Sequence, residues 1–370
     1  MARVLITGGA GFIGSHAADA LLGAGYEVRL LDNLAPQVHG GARQRPSYLN
    51  GDMELIVGDV SDAPAVERAL RGIDMVLHLA SAVGVGQSMY HIEPYVRTNE
   101  LGTAVLLQAL AKHPVERLVV ASSMSVYGEG LCRSAEGAAI SPDERSVDQL
   151  RRGDWELCDA DGRPLQPVPT SESKPPSLSS IYALNKYVQE RMCLITGKAY
   201  AMPTVALRFF NVFGPRQALS NPYTGVLAIF AARILNGRSP LVFEDGLQKR
   251  DFVHVHDVAR ACLLALETEY ANEVFNVGSG TSRTIISVAR DLARVMGRPD
   301  IAPAVTGKYR AGDIRHCFAD LEKSRTLLGF EPRVRFEEGL DELANYLADQ
   351  IADDQVEQAT DELLRRGLVA

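Results

Sequence analysis

A glycine-rich turn near the beginning of the chain constrains the fold most strongly. Gly8, Gly11 and Gly14 follow a short apolar, β-branched run over residues 3–7 and precede a stretch with helical spacing over residues 16–22. This order predicts a strand, a tight turn and a helix. Glycines at this spacing allow tight dihedral angles, close approach of the backbone to a pyrophosphate, and packing of the helix on the strand. The sequence therefore predicts a phosphate-binding turn whose helix N-terminus faces the phosphates.

Later strand ends indicate a dinucleotide site. A second apolar run ends at Asp32, about 20 residues beyond the turn, where a carboxylate can accept hydrogen bonds from ribose hydroxyls. Because an acid there repels a 2′-phosphate, Asp32 predicts NAD rather than NADP as the cofactor. His78, inside a further predicted strand, is expected to be a packed residue rather than a ligand. One predicted strand ends at Asp59 and Val60, where the adenine edge could be met. Another ends at Leu79, Ala80 and Ser81, small or apolar residues where the backbone must pass close to the cofactor.

The order of elements predicts the fold class. Strands alternate with helical stretches through about residue 210, which indicates an α/β protein with a Rossmann-type, doubly wound parallel sheet covered on both faces. Because 370 residues are long for one domain, we also expect a smaller C-terminal α/β substrate lobe. The expected division is an NAD-binding domain over 1–210, a lobe over 211–345 and a helical tail over 346–370. A polar, proline-rich insertion over 129–176 interrupts the first domain.

Composition limits the class of partner. A net charge of −8 and an isoelectric point near 5.6 argue against nucleic acid or an anionic membrane as the main partner. Apolar residues make up 46% of the chain, enough for a packed core. No window approaches about 18 uninterrupted apolar residues, and the first residues enter a strand without a cleavage signal, so we expect a cytoplasmic protein. Five widely spaced cysteines indicate reduced thiols rather than disulfides.

A Tyr-x-x-x-Lys pair predicts the catalytic chemistry. Tyr182 and Lys186 share one face of a predicted helix, and Ser123 lies at the carboxyl end of another predicted strand, where ligands bind in open α/β sheets. A free tyrosine titrates near 10, so a tyrosinate base at neutral pH needs roughly 4 kcal/mol of preferential stabilisation. Lys186 is expected to supply it and to hold the nicotinamide ribose. The alternative is a buried tyrosine and a surface lysine on an amphipathic helix.

These motifs resemble the extended short-chain dehydrogenase/reductase superfamily, in particular its nucleotide-sugar epimerases and dehydratases. The likeness extends to about residue 345, and its most specific parts are the glycine turn, Asn99, the segment over residues 207–215, and Ser123, Tyr182 and Lys186. The resemblance implies that the last three form a catalytic triad. It also implies these NAD-binding residues: Gly8, Gly11, Phe12, Ile13, Gly14, Asp32, Asn33, Asp59, Val60, Leu79, Ala80, Ser81, Asn99, Ala121, Ser122, Tyr182, Lys186 and Phe210.

The resemblance implies a nucleoside-diphosphate sugar, carried by dTDP or UDP, as the substrate. Arg250 and Arg310 are the implied phosphate ligands, because arginine donates charge-assisted hydrogen bonds to a pyrophosphate. Helices near residues 95–111 and 180–197 resemble the family's dimer contacts, so a homodimer is expected. The implied substrate-binding residues are Gln87, Ser123, Met124, Asn211, Val226, Leu241, Phe243, Arg250, Arg310, Asp313 and Cys317.

The residues after Ser123 distinguish two chemistries within this family. Dehydratases of the family carry acidic residues there, whereas this chain has Met124 and Ser125, so we expect 4-epimerisation by oxidation and re-reduction at sugar C4. The loop over residues 83–90 and the segment over 127–132 resemble those of bacterial 4-epimerases that interconvert dTDP-L-rhamnose and dTDP-6-deoxy-L-talose. The alternatives are a UDP-hexose 4-epimerase, a 4-ketosugar reductase that consumes exchangeable NAD(P)H, and a non-catalytic NAD-binding protein.

The 129–176 insertion resembles a zinc ribbon that has lost ligands. Relatives with this insertion carry two Cys-x-x-Cys pairs, whereas this chain retains Cys132 and Cys158, with Ala135 and Asp161 at the partner spacings. Structural zinc needs four ligands, usually thiolates or imidazoles. We therefore expect no metal and a lid held by packing; the alternative is a zinc site at Cys132 and Cys158 with ligands from elsewhere in the chain.

Overall fold

The computed structural model describes residues 1–41, 43–219, 221, 223, 225–310, 312–350 and 354–370. Its strands are β1 (Arg3–Thr7), β2 (Glu27–Asp32), β3 (Glu54–Val57), β4 (Met75–His78), β5 (Arg117–Ser123), β6 (Cys132–Arg133), β7 (Ala139–Ile140), β8 (Gln166–Pro167), β9 (Thr204–Phe209), β10 (Asn211–Phe213), β11 (Leu241–Val242), β12 (Lys249–His254), β13 (Glu273–Val277), β14 (Ser282–Thr284), β15 (Ala304–Val305) and β16 (His316–Cys317).

The helices are α1 (Phe12–Gly23), α2 (Pro36–His39), α3 (Ala63–Ala69), α4 (Val85–Ser88), α5 (Ile92–Val96), α6 (Gly102–Lys112), α7 (Val147–Arg151), α8 (Ile181–Ala199), α9 (Val226–Leu235), α10 (Val255–Glu267), α11 (Ile285–Val295), α12 (Glu322–Leu328), α13 (Phe336–Leu347) and α14 (Val356–Arg365). A π-helical turn (Arg97–Leu101) joins α5 to α6, and a 3-10 turn (Met124–Tyr127) follows β5. Within the described ranges, no helix has both the length and the apolar character needed to cross a membrane.

The main sheet has the strand order β13-β9-β5-β4-β1-β2-β3, and every neighbouring pair is parallel. From β1 the chain runs outward through β2 and β3, and it then returns to β4 on the other side of β1. The carboxyl ends of β1 and β4 therefore border the crevice where ligands bind in open α/β sheets. The predicted doubly wound parallel sheet is confirmed.

Alternating side chains bury both faces of this sheet. Val4 and Ile6 of β1 belong to one apolar core with residues of α1 and α10, whereas Leu5 belongs to a second core with residues of α3, α6 and α8. All three strand residues are inaccessible to solvent. Because helices cover the sheet on both sides, its strands are continuous apolar runs rather than alternating ones, which is the pattern seen in the sequence.

The C-terminal lobe is built on a small mixed sheet. β10 and β16 run parallel to β12, and β14 runs antiparallel to it, over a core that includes Phe213, Phe252, Leu292 and Leu340. Two elements of the segment predicted to form the lobe belong instead to the NAD-binding half. β13 completes one edge of the main sheet beside β9, and α10 packs on α1. The chain therefore returns to the NAD-binding half after residue 210, because β13 offers another apolar strand for parallel pairing.

Buried ion pairs fasten the insertion to the C-terminal lobe. Arg145 Nη1 of the insertion lies 2.9 Å from Glu244 Oε1. Arg315 of the lobe has an inaccessible side chain, and it pairs with Glu244 at 2.9 Å and with Glu156 of the insertion. Because removing one partner of a buried pair leaves an uncompensated charge, this network holds the two parts together. β6, β7 and β8 form the insertion's own sheet, over a small core of Cys132, Leu157 and Leu165.

The close approach of Gly8 to the backbone after β4 predicts a specific loss of stability. Gly8 and Gly237 both have a φ of +68°, but a Cβ on Gly8 would lie 2.9 Å from the Ala80 Cα, whereas nothing lies within 4 Å of one on Gly237. Gly237→Ala should lose about 1 kcal/mol of unfolding free energy from the left-handed backbone alone. Gly8→Ala should lose about 1–3 kcal/mol more, because the backbone directly after β4 must move. Urea denaturation of the cofactor-free proteins measures both, and equal losses would contradict the predicted clash.

Candidate active site

Helix α8 presents the predicted catalytic tyrosine and lysine on one buried face. The hydroxyl of Ser180 caps the helix by accepting a hydrogen bond from the Ala183 N–H at 3.0 Å. The Tyr182 N–H donates to Ser88 Oγ at 3.0 Å, which ties the start of α8 to the end of α4. Tyr182 is 9% exposed and Lys186 is 3% exposed. The structure therefore brings these two predicted residues together.

Two adjacent serines at the end of β5 have different partners. Ser123 Oγ accepts a hydrogen bond from the Ser125 N–H at 3.1 Å, and its hydroxyl also interacts with the Tyr182 phenol. Ser122 Oγ donates instead to Glu190 Oε2 at 2.6 Å. Successive side chains of a strand point to opposite faces, so only one of the two hydroxyls can face Tyr182. The Ser122 hydroxyl, predicted to contact the cofactor, is directed at a buried acid.

Burial dominates the titration of the tyrosine and the lysine. Burial raises the pKa of Tyr182 to about 12, and the hydrogen bond with Ser123 offsets only part of this rise. Burial lowers the pKa of Lys186 to about 8, and its ammonium donates to Gln189 Oε1 at 2.9 Å. In the protein alone burial disfavours both charges, and the lysine is paired with Gln189. The expectation that Lys186 stabilises the tyrosinate stays a prediction.

A chain of buried hydrogen bonds positions this glutamine, and the sequence analysis missed it. Gln189 Nε2 donates to Thr103 Oγ1 at 2.9 Å, Thr103 Oγ1 lies 2.9 Å from His78 Nε2, and His78 Nδ1 lies 2.7 Å from Thr7 Oγ1. Thr7 is the last residue of β1, directly before the glycine turn. Burial lowers the pKa of His78 to about 3, so this imidazole is neutral and packed, as expected. The i, i+3 spacing of Lys186 and Gln189 was the available indication.

Of the three glycines in the turn, only Gly11 is not enclosed by other described parts of the protein. A Cβ on Gly14 would lie 2.3 Å from Gly8 O, and Gly8 itself contacts the backbone after β4, so packing within the protein explains both. For a Cβ on Gly11, the nearest atom is Gly8 O at 3.3 Å. Helix α1 begins directly afterwards, and the N–H groups of Phe12 and Ile13 in its first turn have no acceptor within the helix. An anionic pyrophosphate fits this arrangement.

Asp32 closes the far side of the turn. Its Oδ2 accepts a hydrogen bond from the Ala10 N–H at 3.0 Å, and its Oδ1 accepts one from the Leu34 N–H at 2.9 Å. The neighbouring Asn33 Nδ2 donates to Asp59 Oδ2 at 2.8 Å, which links the ends of β2 and β3. A carboxylate offers about four acceptor positions. Asp32 can therefore shape the loop and still accept hydrogen bonds from a ribose.

Some of the residues predicted to contact the cofactor instead hold the surrounding loop or core in place. Asn99 is inaccessible, and its Oδ1 accepts hydrogen bonds from the Ala82 N–H at 2.7 Å and from Ser81 Oγ at 3.1 Å. Since its Nδ2 also donates to Ala82 O at 3.1 Å, Asn99 holds the loop after β4. Leu79 and Ala80 are half-buried at the start of this loop. Three further predicted contacts are buried in the apolar cores: Val60, Ala121 and Phe210.

The two predicted phosphate ligands differ in what they already bind. Arg250 Nη1 donates to Arg315 O at 3.0 Å, and its Nη2 lies 3.7 Å from Asp313 Oδ1. The guanidinium carbon of Arg310 lies 4.5 Å from the centroid of the Phe243 ring, and the buried Arg310 Nε has no hydrogen-bond partner among the described residues. Arg310 therefore keeps donor capacity for a phosphate, whereas Arg250 would have to exchange its present acceptors.

Other predicted substrate contacts lie on neighbouring elements of the fold. Asn211 Nδ2 donates to Asp251 O at 2.9 Å and lies 3.7 Å from Met124 Sδ, so these side chains are adjacent after β5 and at β10. Gln87 Oε1 accepts a hydrogen bond from the Tyr95 hydroxyl at 3.1 Å. Two apolar positions are half-exposed: Val226 and Leu241.

Cys317 does not reach a pocket surface. It is 1% exposed and belongs to the main apolar core, where burial raises the pKa of its thiol to about 12. Apolar neighbours enclose the thiol, and the implied contact of Cys317 with the substrate stays a prediction.

The two cysteines of the insertion lie outside the potential metal site found among the described residues. Among the described residues, the group of His, Cys, Asp and Glu close enough to hold a metal is His254, His256 and Glu342, which includes neither Cys132 nor Cys158. In that group His254 Nε2 lies 3.5 Å from Glu342 Oε2, an ordinary imidazole–carboxylate contact. Cys132 is buried and Cys158 is exposed, so the insertion does not bring the two thiols into one environment. The absence of a metal from the insertion stays a prediction.

A Rossmann-type sheet with a glycine turn, an acid after β2 and a buried Ser, Tyr and Lys set defines a nicotinamide-dependent class of enzyme. Residues 4–278 match the NAD dependent epimerase/dehydratase family, and the chain belongs to that family. It is an NAD-dependent enzyme. The resemblance to nucleotide-sugar epimerases and dehydratases of the extended short-chain dehydrogenase/reductase superfamily is thereby confirmed.

Several relatives match nearly the whole chain. A dTDP-L-rhamnose 4-epimerase of Burkholderia thailandensis is 36% identical over 94% of this chain and 96% of its own, and a UDP-glucose 4-epimerase of Halalkalibacterium halodurans is 30% identical over 89% and 90%. Among solved structures, a UDP-glucose 4-epimerase of Thermotoga maritima with UDP-glucose has a TM-score of 0.76 at 32% identity, covering 94% of this chain and 98% of its own. A UDP-glucose 4-epimerase of Thermus thermophilus with NAD has a TM-score of 0.74 at 32% identity, covering 94% and 99%.

The position of Asp32 predicts cofactor choice. In Asp32→Asn the charge that repels a 2′-phosphate is lost, so the ratio of the NADP and NAD dissociation constants should fall by about tenfold or more. Asp62→Asn, at an exposed acid before α3, is the matched control and should leave the ratio unchanged. Calorimetric titration of the cofactor-free proteins with both dinucleotides measures the ratio. An unchanged ratio in Asp32→Asn would show that this carboxylate does not discriminate between them.

Proposed function

We propose that this protein is a nucleotide-sugar 4-epimerase that retains its NAD through each catalytic cycle. The observation that carries this proposal is the buried set of Ser123, Tyr182 and Lys186 at the carboxyl ends of the main-sheet strands, beside a glycine turn that suits a dinucleotide. A sugar hydroxyl placed between Ser123 and Tyr182 would have one group to hold it and one to take its proton.

The reaction would proceed in two symmetrical halves. Tyr182 Oη takes the proton of the C4 hydroxyl as C4 loses a hydride, and a 4-keto sugar results. NAD, when bound, supplies a reversible hydride acceptor and, in its oxidised form, a positively charged ring. After the sugar has turned over, the hydride returns to the opposite face of C4, and Tyr182 returns its proton to the oxygen. Electrons and protons balance within one cycle, so no net reductant is consumed.

The electrostatics of the site support a base that depends on the cofactor. The protein alone raises the pKa of Tyr182 to about 12, chiefly by burial, so a neutral phenol is the resting form. The ammonium of Lys186, with a pKa lowered to about 8 by burial, is still mainly protonated at neutral pH. A positive charge added to this buried region by the oxidised cofactor would favour the phenolate, together with Lys186 once it has exchanged Gln189.

The turn after β5 favours epimerisation over elimination. Met124 and Ser125 follow Ser123, and Met124 is 6% exposed, so this turn presents a thioether and a hydroxyl rather than acidic groups. Removal of water across C5 and C6 of a sugar requires an acid and a base at those carbons. The residues of this turn can supply neither.

We further propose dTDP-L-rhamnose and dTDP-6-deoxy-L-talose as the sugar pair. The 36% identical relative that acts on dTDP-L-rhamnose supports this choice. UDP-hexose 4-epimerases at 30% and 32% identity support the alternative of a UDP-sugar, which would use the same Arg310 and Phe243 contacts. A 4-ketosugar reductase is the second alternative, and it would require NAD(P)H that exchanges with solution.

A homodimer is also proposed, on surface chemistry. Leu101, Leu184 and Ile195, in the predicted dimer helices, are 47%, 40% and 60% exposed. Large apolar side chains left open on neighbouring helices favour burial against a second copy.

The proposed activity is tested by incubating the purified protein, without added cofactor, with dTDP-L-rhamnose, UDP-galactose and UDP-N-acetylgalactosamine separately. Conversion of one of them to its C4 epimer, followed by NMR, is expected. Tyr182→Phe should lose about 100-fold or more in rate because it lacks the proton acceptor. Tyr200→Phe, at the exposed end of α8, should retain full activity. Turnover only with added NAD(P)H and a 4-keto sugar would instead establish the reductase.

The lysine predicts a change in pH dependence. Lys186→Met removes a cation that favours the phenolate, so the working pKa of Tyr182 should rise in the NAD-loaded enzyme. At any pH below that pKa, activity should be lower than in the wild type and should increase about tenfold per pH unit. Lys198→Met, exposed near the end of the same helix, is the control. If the pH dependence of Lys186→Met had the same shape as that of the wild type, the lysine would serve only to bind the cofactor.

A further inference from the structure

The last residues of the chain run beside the predicted phosphate ligand Arg310. Tyr309 and Ala370 exchange two backbone hydrogen bonds, at 2.9 Å and 3.1 Å, and Arg310 pairs with Val369 in an antiparallel bridge. We call residues 354–370 the C-terminal strap. Its end is therefore fixed by main-chain pairing to Arg310, whose buried Nε has no partner among the described residues.

Ion pairs fix the other end of the strap. Asp354 Oδ2 lies 3.4 Å from Arg233 Nη1 and 3.2 Å from Arg238 Nη1, and Glu357 also lies within 3.6 Å of both arginines. The Arg233 side chain is only 5% exposed, so its pair with Asp354, which is 3% exposed, is largely shielded from solvent. The strap is thus anchored on α9 at its beginning and on residues 309–310 at its end.

Between these anchors, two apolar side chains of the strap line a cavity. Leu363 and Leu368 line a cavity together with Gly86, Ser180 and Arg310. Leu363 is 3% exposed, and a Cβ on Gly86 would lie 3.4 Å from it, so the strap is packed directly on α4. Ser180 caps α8 two residues before Tyr182, so this cavity lies at the N-terminus of the helix that carries the proposed base.

A stacked arginine fixes the strap against the same loop. The guanidinium carbon of Arg366 lies 4.4 Å from the centroid of the Tyr90 ring. The Tyr90 hydroxyl in turn lies 2.5 Å from the Tyr223 hydroxyl, and Tyr223 packs against Gly84, the residue before α4. Arg365, the residue before it, has a side chain that is 77% exposed and offers a matched comparison.

We propose that the C-terminal strap is the outer wall of the nucleotide-sugar pocket and retains the 4-keto sugar until the hydride returns. The proposal rests on the proposed epimerase function. A sugar that must present both faces of C4 to one hydride source has to turn within the pocket. Leu363 and Leu368 offer no hydrogen bond that would hold the hexose in one orientation, whereas Arg310 can hold the diphosphate.

The 4-keto sugar must be retained because the second half of the reaction returns to it the hydride and the proton that the first half removed. If the 4-keto sugar leaves before the second half, its hydride stays on the cofactor as NADH and its proton stays on Tyr182. The enzyme is then left reduced and inactive for the next sugar. A wall that excludes water and slows departure of the ketone is therefore required for many turnovers on one NAD.

The test compares the wild type, a chain ending at residue 353, a Leu363→Ser/Leu368→Ser variant and the control Arg365→Ser. During turnover we would measure NADH absorbance that remains on the enzyme and 4-keto sugar released, trapped with hydroxylamine. The truncated and double-serine proteins should release ketone at least about tenfold more often per epimerisation, with NAD content like that of the wild type. Arg365→Ser should match the wild type. The double-serine variant keeps the test valid if the truncated chain does not fold.

A second measurement separates this proposal from the proposed function. The dissociation rate of dTDP and of UDP from each protein, followed by stopped-flow, does not depend on turnover. The strap variants should release the bound nucleotide at least about tenfold faster than the wild type and Arg365→Ser. Unchanged dissociation rates and unchanged ketone release would overturn the strap proposal. A wild type that epimerises no sugar, while its strap variants still release nucleotide faster, would overturn only the epimerase function.

Discussion

A chain of buried hydrogen bonds connects the cofactor turn to the proposed catalytic lysine, and the geometry of the site depends on it. It runs from Thr7 at the end of β1 through His78, Thr103 and Gln189 to Lys186 on α8. Each member is nearly inaccessible, so a missing partner would leave a buried polar group unsatisfied, at about 1–3 kcal/mol for each. The chain therefore fixes β1, β4, α6 and α8 in one register, and with them the distance between the glycine turn and the lysine.

The same burial shapes the proposed chemistry. It raises the pKa of Tyr182 to about 12 and lowers that of Lys186 to about 8, so the folded protein disfavours the charged form of both groups. In such a site Tyr182 stays protonated and cannot accept a proton until a further positive charge enters. In the proposed cycle that charge is present only while the cofactor is oxidised, which is when C4 must lose its hydride. After hydride transfer the same site favours a protonated tyrosine, which is the acid needed for the return step.

Local patterns predicted the parts of the structure that local physics determines. The strand, glycine turn and helix at residues 3–23 and the shared face of Tyr182 and Lys186 follow from backbone sterics and the helical period. Sequence analysis missed Gln189 as the partner of the lysine, and it did not foresee that β13 would return to the main sheet. Both features depend on contacts between segments that are distant in sequence, and a single sequence does not show which distant segments come into contact.

Side-chain direction and buried charge were the least predictable features. Ser122, Asn99 and Cys317 belong to the segments expected at the site, yet their side chains point into the protein rather than toward an open pocket. Arg315 reads as one of many surface charges in the sequence, but its side chain is inaccessible and joins the insertion to the C-terminal lobe. The sequence of the C-terminal strap likewise indicates only a charged helical tail, and its packing on α4 and Arg310, which suggested the proposed role, is visible only in the structure.

The proposed chemistry requires that the hydride removed from C4 returns to the same carbon of the same sugar. Deuterium at C4 of the nucleotide sugar tests this directly, with an unlabelled sugar of different mass and free NADH present in the same reaction. We predict that the C4 epimer keeps its deuterium, that the unlabelled sugar gains none, and that added NADH stays unlabelled. Loss of deuterium to solvent, or its appearance in the free NADH or in the unlabelled sugar, would contradict epimerisation on a retained cofactor.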